Sequence, residues 1–324
     1  MKDVGRITVT EPDETGGDIR SVEVRVPAST SNLGSGFDCC GLALRLYLTV
    51  RAVVRPESSE PCRVRTRGAG ADASLPRSEE NLIYRAMRFI ADQESLRLPP
   101  VRLAVCNEIP LASGLGSSGA AVVAGAALCA ALSGHQLSAP ALLRYGTKLE
   151  GHSDNVAAAL YGGWVVNCIT EGGGVIAVKR HWPRDIKLVV VTPHAPLETK
   201  AARALLPPTV SHVDAVFNLQ RAVMFGAALE AGNYDLLWEA MRDRLHQPHR
   251  APLVPGLAEA LATPQLDGLL GLALSGSGPS VVALAQSNFD KIGAALARGF
   301  HQHGIETTAR LLEVEDEGLR VVNR

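Results

Sequence analysis

The chain has 324 residues, with 32 Lys and Arg against 33 Asp and Glu, so its formal net charge is −1. Apolar residues make up 46% of it, enough to form the core of one large domain or two ordinary ones. The basic residues are scattered along the chain, which argues against a nucleic-acid partner. No apolar run reaches the ~20 residues needed to cross a bilayer, so a membrane is not an expected partner either.

The N-terminus is polar and has no signal-peptide pattern. Six cysteines fit no metal-binding spacing: Cys39, Cys40, Cys62, Cys106, Cys129 and Cys168. Most of them stand in apolar segments, as small core residues do. We therefore expect a reducing, cytoplasmic location.

Apolar periodicity predicts strands in the first half at residues 22–26, 42–54, 63–67, 101–105 and 164–169. It predicts helices at residues 81–93, 139–149 and 156–160. A polar loop is predicted to begin at Pro27. In the second half we predict strands at 186–191, 271–274, 281–285 and 307–314, and helices at 199–205, 213–231, 234–245 and 289–303, with a loop at 246–255. This order predicts an α+β fold whose second half is a split βαβ sandwich.

A glycine-rich loop, Gly114-Leu-Gly116-Ser-Ser-Gly119, leads into an alanine-rich run that ends at Gly134. Alanine favours helix, and a serine ahead of such a run is expected to be its N-cap. Glycines before a helix let several N–H groups and the helix dipole point at one place. That arrangement predicts a phosphate site, although a plain connection before a buried helix has the same composition.

Two common nucleotide-binding patterns do not explain this loop. The G-x-x-x-x-G-K-[ST] pattern needs a lysine after the glycines, and none follows. The spacing does match G-x-G-x-x-G, but a dinucleotide site also needs an acidic residue about 20 positions further on. Residues 133–143 contain no Asp or Glu, so we disfavour a dinucleotide site.

Three separated segments have one explanation in common. They are PASTSNLGSGFD (27–38), PLASGLGSSGAA (110–121) and LSGSGPSVVAL (274–284). In this order they resemble the three signature motifs of the GHMP small-molecule kinases. The resemblance covers nearly the whole chain after residue 18.

Three further segments resemble the branch of this family that phosphorylates L-homoserine. They are EGHSDN (150–155), TKAAR (199–203) and RLHQPHR (244–250). The resemblance implies ATP-dependent phosphorylation of the side-chain hydroxyl of L-homoserine to O-phospho-L-homoserine, on the route to threonine. Two alternatives stay open: a kinase of the same family for another small hydroxylated carboxylate such as L-threonine, and a non-catalytic nucleotide-binding module.

The resemblance also implies an architecture. The N-terminal domain, residues 19–180, would bind ATP and resemble the second domain of ribosomal protein S5. The C-terminal domain, residues 181–324, would be ferredoxin-like. The helix predicted at 213–231 has an apolar face that would pair with a second subunit in a homodimer or pack within its own core.

Roles for individual residues follow from the resemblance. ATP would contact Asn81, Pro110, Ser113, Gly114, Leu115, Gly116, Ser117, Ser118, Gly119, Thr199, Gly276 and Gly278. The amino-acid substrate would contact Asn32, Asp38, His152, Asn155, Arg203 and Arg250. Mg²⁺ would be held by Ser118 and Glu150, whose oxygens suit that ion. Without the resemblance, Asn81 is equally well explained as a helix N-cap, and Glu150 as a surface carboxylate at a helix end.

Within the substrate site, Arg203 and Arg250 would grip the substrate carboxylate, as guanidinium groups can do bidentately. Asp38 and Asn32 would accept hydrogen bonds from its ammonium and hydroxyl groups. The catalytic residues Asp38 and Asn155 would only orient the hydroxyl, whose proton passes to the γ-phosphate without a strong protein base.

Four positions depart from the family pattern. His249 stands where an aromatic residue is frequent and Ser277 where an alanine is frequent, and Cys39-Cys40 is unusual after the first motif. His249 adjoins a predicted carboxylate-binding arginine, so substrate choice could differ.

Overall fold

The structure is a computed structural model that describes residues 21–72, 75–195, 197 and 199–323. Its first sheet has seven strands: β1 (Ser21–Ser31), β2 (Cys40–Val54), β3 (Cys62–Gly68), β4 (Val101–Asn107), β5 (Trp164–Ile169), β6 (Val175–Arg180) and β11 (Arg320–Asn323). The strand order is β11-β1-β2-β4-β3, and β5 joins the start of β2 to β6. Only β3 and β4 pair in parallel within this sheet.

Four helices pack on one side of this sheet: α1 (Leu82–Gln93), α2 (Ser117–Ser133), α3 (Ala139–Glu150) and α4 (Asp154–Tyr161). The alanine-rich α2 is apolar around its whole circumference and is buried between the sheet and the other helices. Small side chains allow that close packing. At Gly125 a Cβ atom would lie 2.3 Å from the carbonyl oxygen of Ile83 in α1, so only glycine fits there.

The second sheet consists of β7 (Lys187–Pro193), β8 (Leu269–Leu274), β9 (Val281–Ala285) and β10 (Thr307–Leu312). Its strands are all antiparallel in the order β10-β7-β9-β8, so counted within this domain the order is 4-1-3-2. That order is the ferredoxin-like arrangement, built from a split βαβ unit. The predicted α+β fold with a ferredoxin-like second domain is confirmed.

Six helices accompany the second sheet: α5 (Thr199–Ala204), α6 (His212–Ala231), α7 (Leu237–Ala240), α8 (Gln247–Arg250), α9 (Leu257–Leu261) and α10 (Phe289–His301). Short 3₁₀ turns occupy Tyr234–Leu236 and Ala251–Leu253. One apolar cluster fills the space beneath the first sheet and reaches into α6, and a second lies between the second sheet, α9 and α10. Within the described residues, no helix is both long and apolar enough to cross a membrane.

The predicted domain ranges, 19–180 and 181–324, stay a prediction. The first sheet's β6 ends at Arg180 and the second sheet begins at Lys187. The C-terminal strand β11 nevertheless returns to pair with β1. Nothing in the local sequence indicates that return, because strand partners far apart in the chain are chosen by packing.

Several predicted elements are wrong in their bounds. The loop predicted from Pro27 is strand as far as Ser31, because the pairing of β1 with β2 shifts register between Pro27 and Ala28, and a bulge tolerates proline. The helix predicted at 234–245 ends at Ala240. Just beyond this end, the carboxylate of Asp243 accepts hydrogen bonds from the backbone N–H groups of Leu245, His246 and Gln247. The predicted loop at 246–255 contains α8, and β6, α9 and β11 were not predicted.

Candidate active site

A cavity of about 610 Å³ opens beside the glycine-rich loop, and both domains contribute to its lining. Most of the predicted site residues line it: Asn32, Asp38, Asn81, Pro110, Ser113, Gly114, Leu115, Gly116, Ser117, Ser118, Glu150, His152, Asn155, Arg203, Arg250 and Gly276. Gly119 and Gly278 are not in the lining. Gly119 lies in the first turn of α2 beside Asn155, and Gly278 packs on Leu274. Thr199 begins α5, but its side chain lies outside the described part of the chain.

The glycine loop ends where α2 begins. The residue ahead of the helix is Gly116, with φ 70°, a left-handed conformation that glycine adopts without strain. The predicted serine N-cap is therefore wrong. Because glycine has no side chain, it leaves the first N–H groups of the helix uncapped. Ser117 and Ser118 in that first turn line the cavity, as a phosphate site at a helix N-terminus requires.

The third motif packs directly against this loop. The hydroxyl of Ser275 donates to the carbonyl oxygen of Gly114 at 2.8 Å, and the N–H of Ser280 donates to that of Ser113 at 3.1 Å. A Cβ atom on Gly114 would lie 2.2 Å from the carbonyl oxygen of Ser275. The two motifs hold each other in place through backbone groups, which explains the need for glycine at position 114.

Ser118 and Glu150 lie together in the cavity wall. The Ser118 hydroxyl donates a hydrogen bond to the Glu150 carboxylate, although 32 residues separate them. Glu150 ends α3, and its side chain is only 11% exposed, which disfavours a surface carboxylate. Hydroxyl and carboxylate oxygens fit Mg²⁺, which is usually bound by few protein ligands and keeps several waters.

Asn81 is the N-cap of α1, and its side-chain oxygen accepts a hydrogen bond from the N–H of Ile83 at 3.1 Å. The same residue lines the cavity. The N-cap interpretation is confirmed, and a position near the adenine stays compatible with it.

At the other end of the cavity, Arg203 forms a bidentate ion pair with Asp38, at 2.9 and 2.8 Å. The backbone N–H of Asp38 donates to the side-chain oxygen of Asn32 at 3.0 Å, and the amide of Asn32 donates to the carbonyl oxygen of Gly276 at 2.9 Å. The hydrogen bonds that Arg203 donates to Asp38 raise the pKa of Arg203 against the effect of burial. The first motif therefore connects an arginine of the second domain to the third motif.

Arg250 is more deeply buried than Arg203 and, unlike Arg203, forms no ion pair within the described residues. It is 2% exposed, and its Nη1 donates to the carbonyl oxygen of Gly276 at 3.0 Å. Its Nε has no hydrogen-bond partner, and among the described residues no carboxylate forms a salt bridge with it. Burial and the neighbouring charge of Arg203 lower the pKa of Arg250. A buried cation of this kind is stabilised by an incoming anion.

Asn155 is held by two serines of β1. Its side-chain oxygen accepts a hydrogen bond from the Ser29 hydroxyl at 2.8 Å, and its amide donates to the Ser31 hydroxyl at 3.0 Å. This network fixes the orientation of the amide in the cavity wall.

His152 and Asp154 form a buried pair. The Nδ1 atom of His152 lies 2.8 Å from the Asp154 carboxylate. Burial opposes the charge on His152, but its hydrogen bond to Asp154 and the charges of Asp154 and Glu150 outweigh burial, so the pKa of His152 is raised. The charge of Arg203 acts in the opposite direction. Burial likewise opposes ionisation of Asp154, yet its hydrogen bonds with His152 and the N–H of Asn155 lower its pKa.

We expect this pair to make stability depend on pH. A raised pKa in the folded state means that the contribution of His152 is fully present below about pH 6.5 and is lost as the pH rises through the folded value. The difference in free energy of unfolding between the wild type and His152→Gln should therefore shrink from pH 5.5 to pH 8.5 in urea titrations. A difference that stays constant would contradict the pairing, and His301→Gln, at an exposed histidine, is the matched control.

Several residues of the site were not predicted: Ser29, Ser31, Phe37, Asp154 and His246. Phe37 stacks on His246 at 5.1 Å and lies 5.7 and 5.5 Å from the guanidinium groups of Arg203 and Arg250. All five stand inside the quoted motifs or one residue away from a predicted ligand. Of the positions that depart from the family pattern, Ser277 lines the cavity and His249 is not in the lining.

Comparisons with known proteins identify the family of this chain. Residues 81–163 match the GHMP kinases N terminal domain family, and residues 226–302 match the GHMP kinases C terminal family. The fold is thus that of a GHMP kinase.

Comparisons of whole chains are more specific. The chain is 40% identical to the homoserine kinase of Moorella thermoacetica and 39% identical to that of Desulfitobacterium hafniense. These alignments cover 92% and 93% of this chain and 99% and 100% of the relatives. The crystal structure of homoserine kinase from Cytophaga hutchinsonii is 28% identical with a TM-score of 0.80, covering 96% of this chain and all of that one. The chain belongs to the homoserine kinase family.

Proposed function

We propose that this protein transfers the γ-phosphoryl group of ATP to the side-chain hydroxyl of L-homoserine, yielding O-phospho-L-homoserine and ADP. The observation that carries the proposal is Arg250, a buried guanidinium that has no carboxylate partner among the described residues and lies in the same cavity as the helix start at Ser117. A cavity with an uncapped helix N-terminus and a buried cation suits a triphosphate and a small carboxylate together.

Phosphoryl transfer depends on positioning and charge neutralisation more than on covalent chemistry by the protein. In our proposal the N–H groups of the loop and of the first turn of α2 bind the ATP phosphates. Ser118 and Glu150 would hold Mg²⁺, which would neutralise phosphate charge. Arg250, with Arg203, binds the substrate carboxylate, and Asp38 then binds the ammonium group. This exchange requires the Arg203–Asp38 ion pair to open toward the substrate.

The substrate is tested by measuring ADP release with L-homoserine, L-threonine, L-serine and mevalonate. We expect kcat/KM to be highest for L-homoserine. A higher value for L-threonine would identify a different kinase of the same family. ATP binding without turnover on any of the four would contradict an enzymatic role.

We further propose that no side chain acts as a strong base and that the hydroxyl proton passes to the γ-phosphate. Asn155 cannot accept a proton at neutral pH, and its amide is already held by Ser29 and Ser31. Asp38→Asn and Asp154→Asn should therefore lower kcat by less than the ~10²–10⁴-fold typical of a lost general base. The expected effect of Asp38→Asn is a higher KM for L-homoserine, because Asp38 binds the substrate.

Steady-state kinetics of both variants test this, with thermal unfolding to show that each is folded. A drop in kcat of the size of a general base, at unchanged KM, would identify that carboxylate as the base.

The homodimer stays a prediction. In α6, Asn218, Phe225, Ala228 and Leu229 are buried in the protein's own core, while Val213, Leu219 and Val223 are 69%, 65% and 66% exposed. We propose that this exposed apolar row is the contact between two copies, and light scattering of the wild type and Leu219→Glu would test it. The cytoplasmic location is proposed on the six cysteines, all of them free.

A further inference from the structure

The adjacent cysteines Cys39 and Cys40 follow the first motif and take no part in the proposed reaction. Their sulfur atoms lie 3.9 Å apart, within hydrogen-bonding distance for thiols. Cys39 is half-buried and Cys40 is buried. The two thiols therefore converge, one on a half-buried residue and the other on a buried one.

The two sulfurs differ in acidity because of this contact. The hydrogen bond between the two thiols lowers the pKa of Cys39, although burial and the charges of Asp154 and Asp38 oppose the shift. The same hydrogen bond, together with burial, raises the pKa of Cys40. Cys39 is thus the sulfur that ionises first, and the thiolate is the reactive form of cysteine.

Chain connectivity and backbone hydrogen bonds connect Cys39 and Cys40 to the substrate end of the cavity. Asp38, the residue before Cys39, forms the ion pair with Arg203. The N–H of Asn32 donates to the carbonyl oxygen of Cys40 at 2.8 Å. The carbonyl oxygen of Cys39 is fixed in turn by the N–H of Asn167 at 2.9 Å. A ligand bound to both sulfurs is therefore connected through the backbone to Asp38 and Asn32, which are proposed to bind the substrate.

We propose that Cys39 and Cys40 form a dithiol site for trivalent arsenicals, and that occupation of this site blocks the substrate end of the cavity. In the reaction an arsenical R–As(OH)₂ loses both hydroxyl groups. Two As–O bonds break, two S–As bonds form, and the thiol protons leave with the hydroxyls as two water molecules. No oxidation is involved, so no further reactant is needed.

Bonds from two sulfur atoms to one arsenic atom should make arsenical binding tight. Once Cys39 has reacted, Cys40 attacks the same arsenic atom as an intramolecular neighbour at high effective concentration. Loss of one thiol should weaken binding by about 100-fold. Iodoacetamide alkylates one thiol at a time and cannot bridge the pair, so removing Cys40 should affect its reaction with Cys39 only through the pKa of Cys39 and not through a lost second attachment.

The experiment treats the full-length protein with phenylarsine oxide and measures its intact mass, its free thiols and its ADP release. We expect one phenylarsenic group per chain, the loss of two titratable thiols, and inhibition that L-homoserine slows and a small dithiol reverses. Cys39→Ser, Cys40→Ser and Cys40→Ala should each lose the high-affinity adduct. The second Cys40 variant covers the case in which serine is not tolerated at a buried position.

Cys168→Ser and Cys106→Ser are the matched controls and should keep both the adduct and the inhibition. An adduct that disappears in Cys168→Ser but survives in Cys40→Ser would overturn the assignment of the pair. An adduct on Cys39 and Cys40 without loss of substrate turnover would overturn the link to the cavity. The inhibition of ADP release rests on the proposed function, whereas the intact mass and the thiol count do not. A failure of the dithiol site can therefore be distinguished from a failure of the proposed function.

Discussion

Replacing Arg250 by methionine is expected to lower kcat/KM for L-homoserine by about 30- to several-thousand-fold, the equivalent of ~2–5 kcal/mol. Methionine keeps an unbranched apolar stem in place of the aliphatic part of the side chain but removes the charge. Arg250 is buried and has no carboxylate partner in the described residues. The substrate carboxylate would be its counter-ion, so the loss should appear chiefly in KM for L-homoserine, with KM for ATP little changed.

The matched control is Arg244→Met, in the same segment. Arg244 is 47% exposed and pairs with Asp214 at the surface, where an ion pair contributes little. Its kinetics should stay close to those of the wild type. Thermal unfolding separates a binding defect from a folding defect at Arg250. A folded Arg250→Met protein with an unchanged KM for L-homoserine would contradict the proposed carboxylate site.

Glu150→Gln is expected to lower kcat by about 10²–10³-fold, comparable with removing one group that stabilises transition-state charge. It should also raise the Mg²⁺ concentration needed for half-maximal activity. Glutamine keeps the hydrogen bond from Ser118 but removes the negative charge that a divalent cation requires. The measurement is ADP release as a function of Mg²⁺ at saturating ATP and L-homoserine.

Glu230→Gln is the control for this prediction, since Glu230 is an exposed carboxylate paired with Arg180. It should leave both kcat and the Mg²⁺ dependence as they are. If Glu150→Gln behaves like Glu230→Gln, Glu150 is a structural carboxylate at the end of α3 and Mg²⁺ is held elsewhere.

The helices, strands and glycine loop that could be predicted from the sequence depend on properties of neighbouring residues. The strands and helices of the first domain follow apolar periodicity, and the predicted α1 and α2 end within a residue or two of the observed helices. The glycine loop was predictable because positive φ at Gly114 and Gly116 is a property of the residue type. The 4-1-3-2 strand order and the return of β11 depend on contacts between distant segments, which a single sequence does not encode locally.

The arrangement of the basic residues is another feature that the sequence predicts only in part. The basic residues look scattered along the chain, yet strand pairing sets Arg63 beside Arg102, and Arg65 in line with Arg51 across β4. With Arg67 they form an exposed row on the outer face of the first sheet. The expected absence of a nucleic-acid partner therefore stays a prediction, because an electrostatic surface is assembled only by folding.

The sequence by itself determined the glycine-rich loop, the family and about half of the residues that line the cavity, because motif chemistry is local. Only the tertiary structure decided that Arg203 already pairs with Asp38, 165 positions away, while Arg250 is buried without a carboxylate partner in the described chain. Burial and pairing arise when two domains close around one cavity, and the free energy of a charge depends on those surroundings more than on its neighbours in sequence.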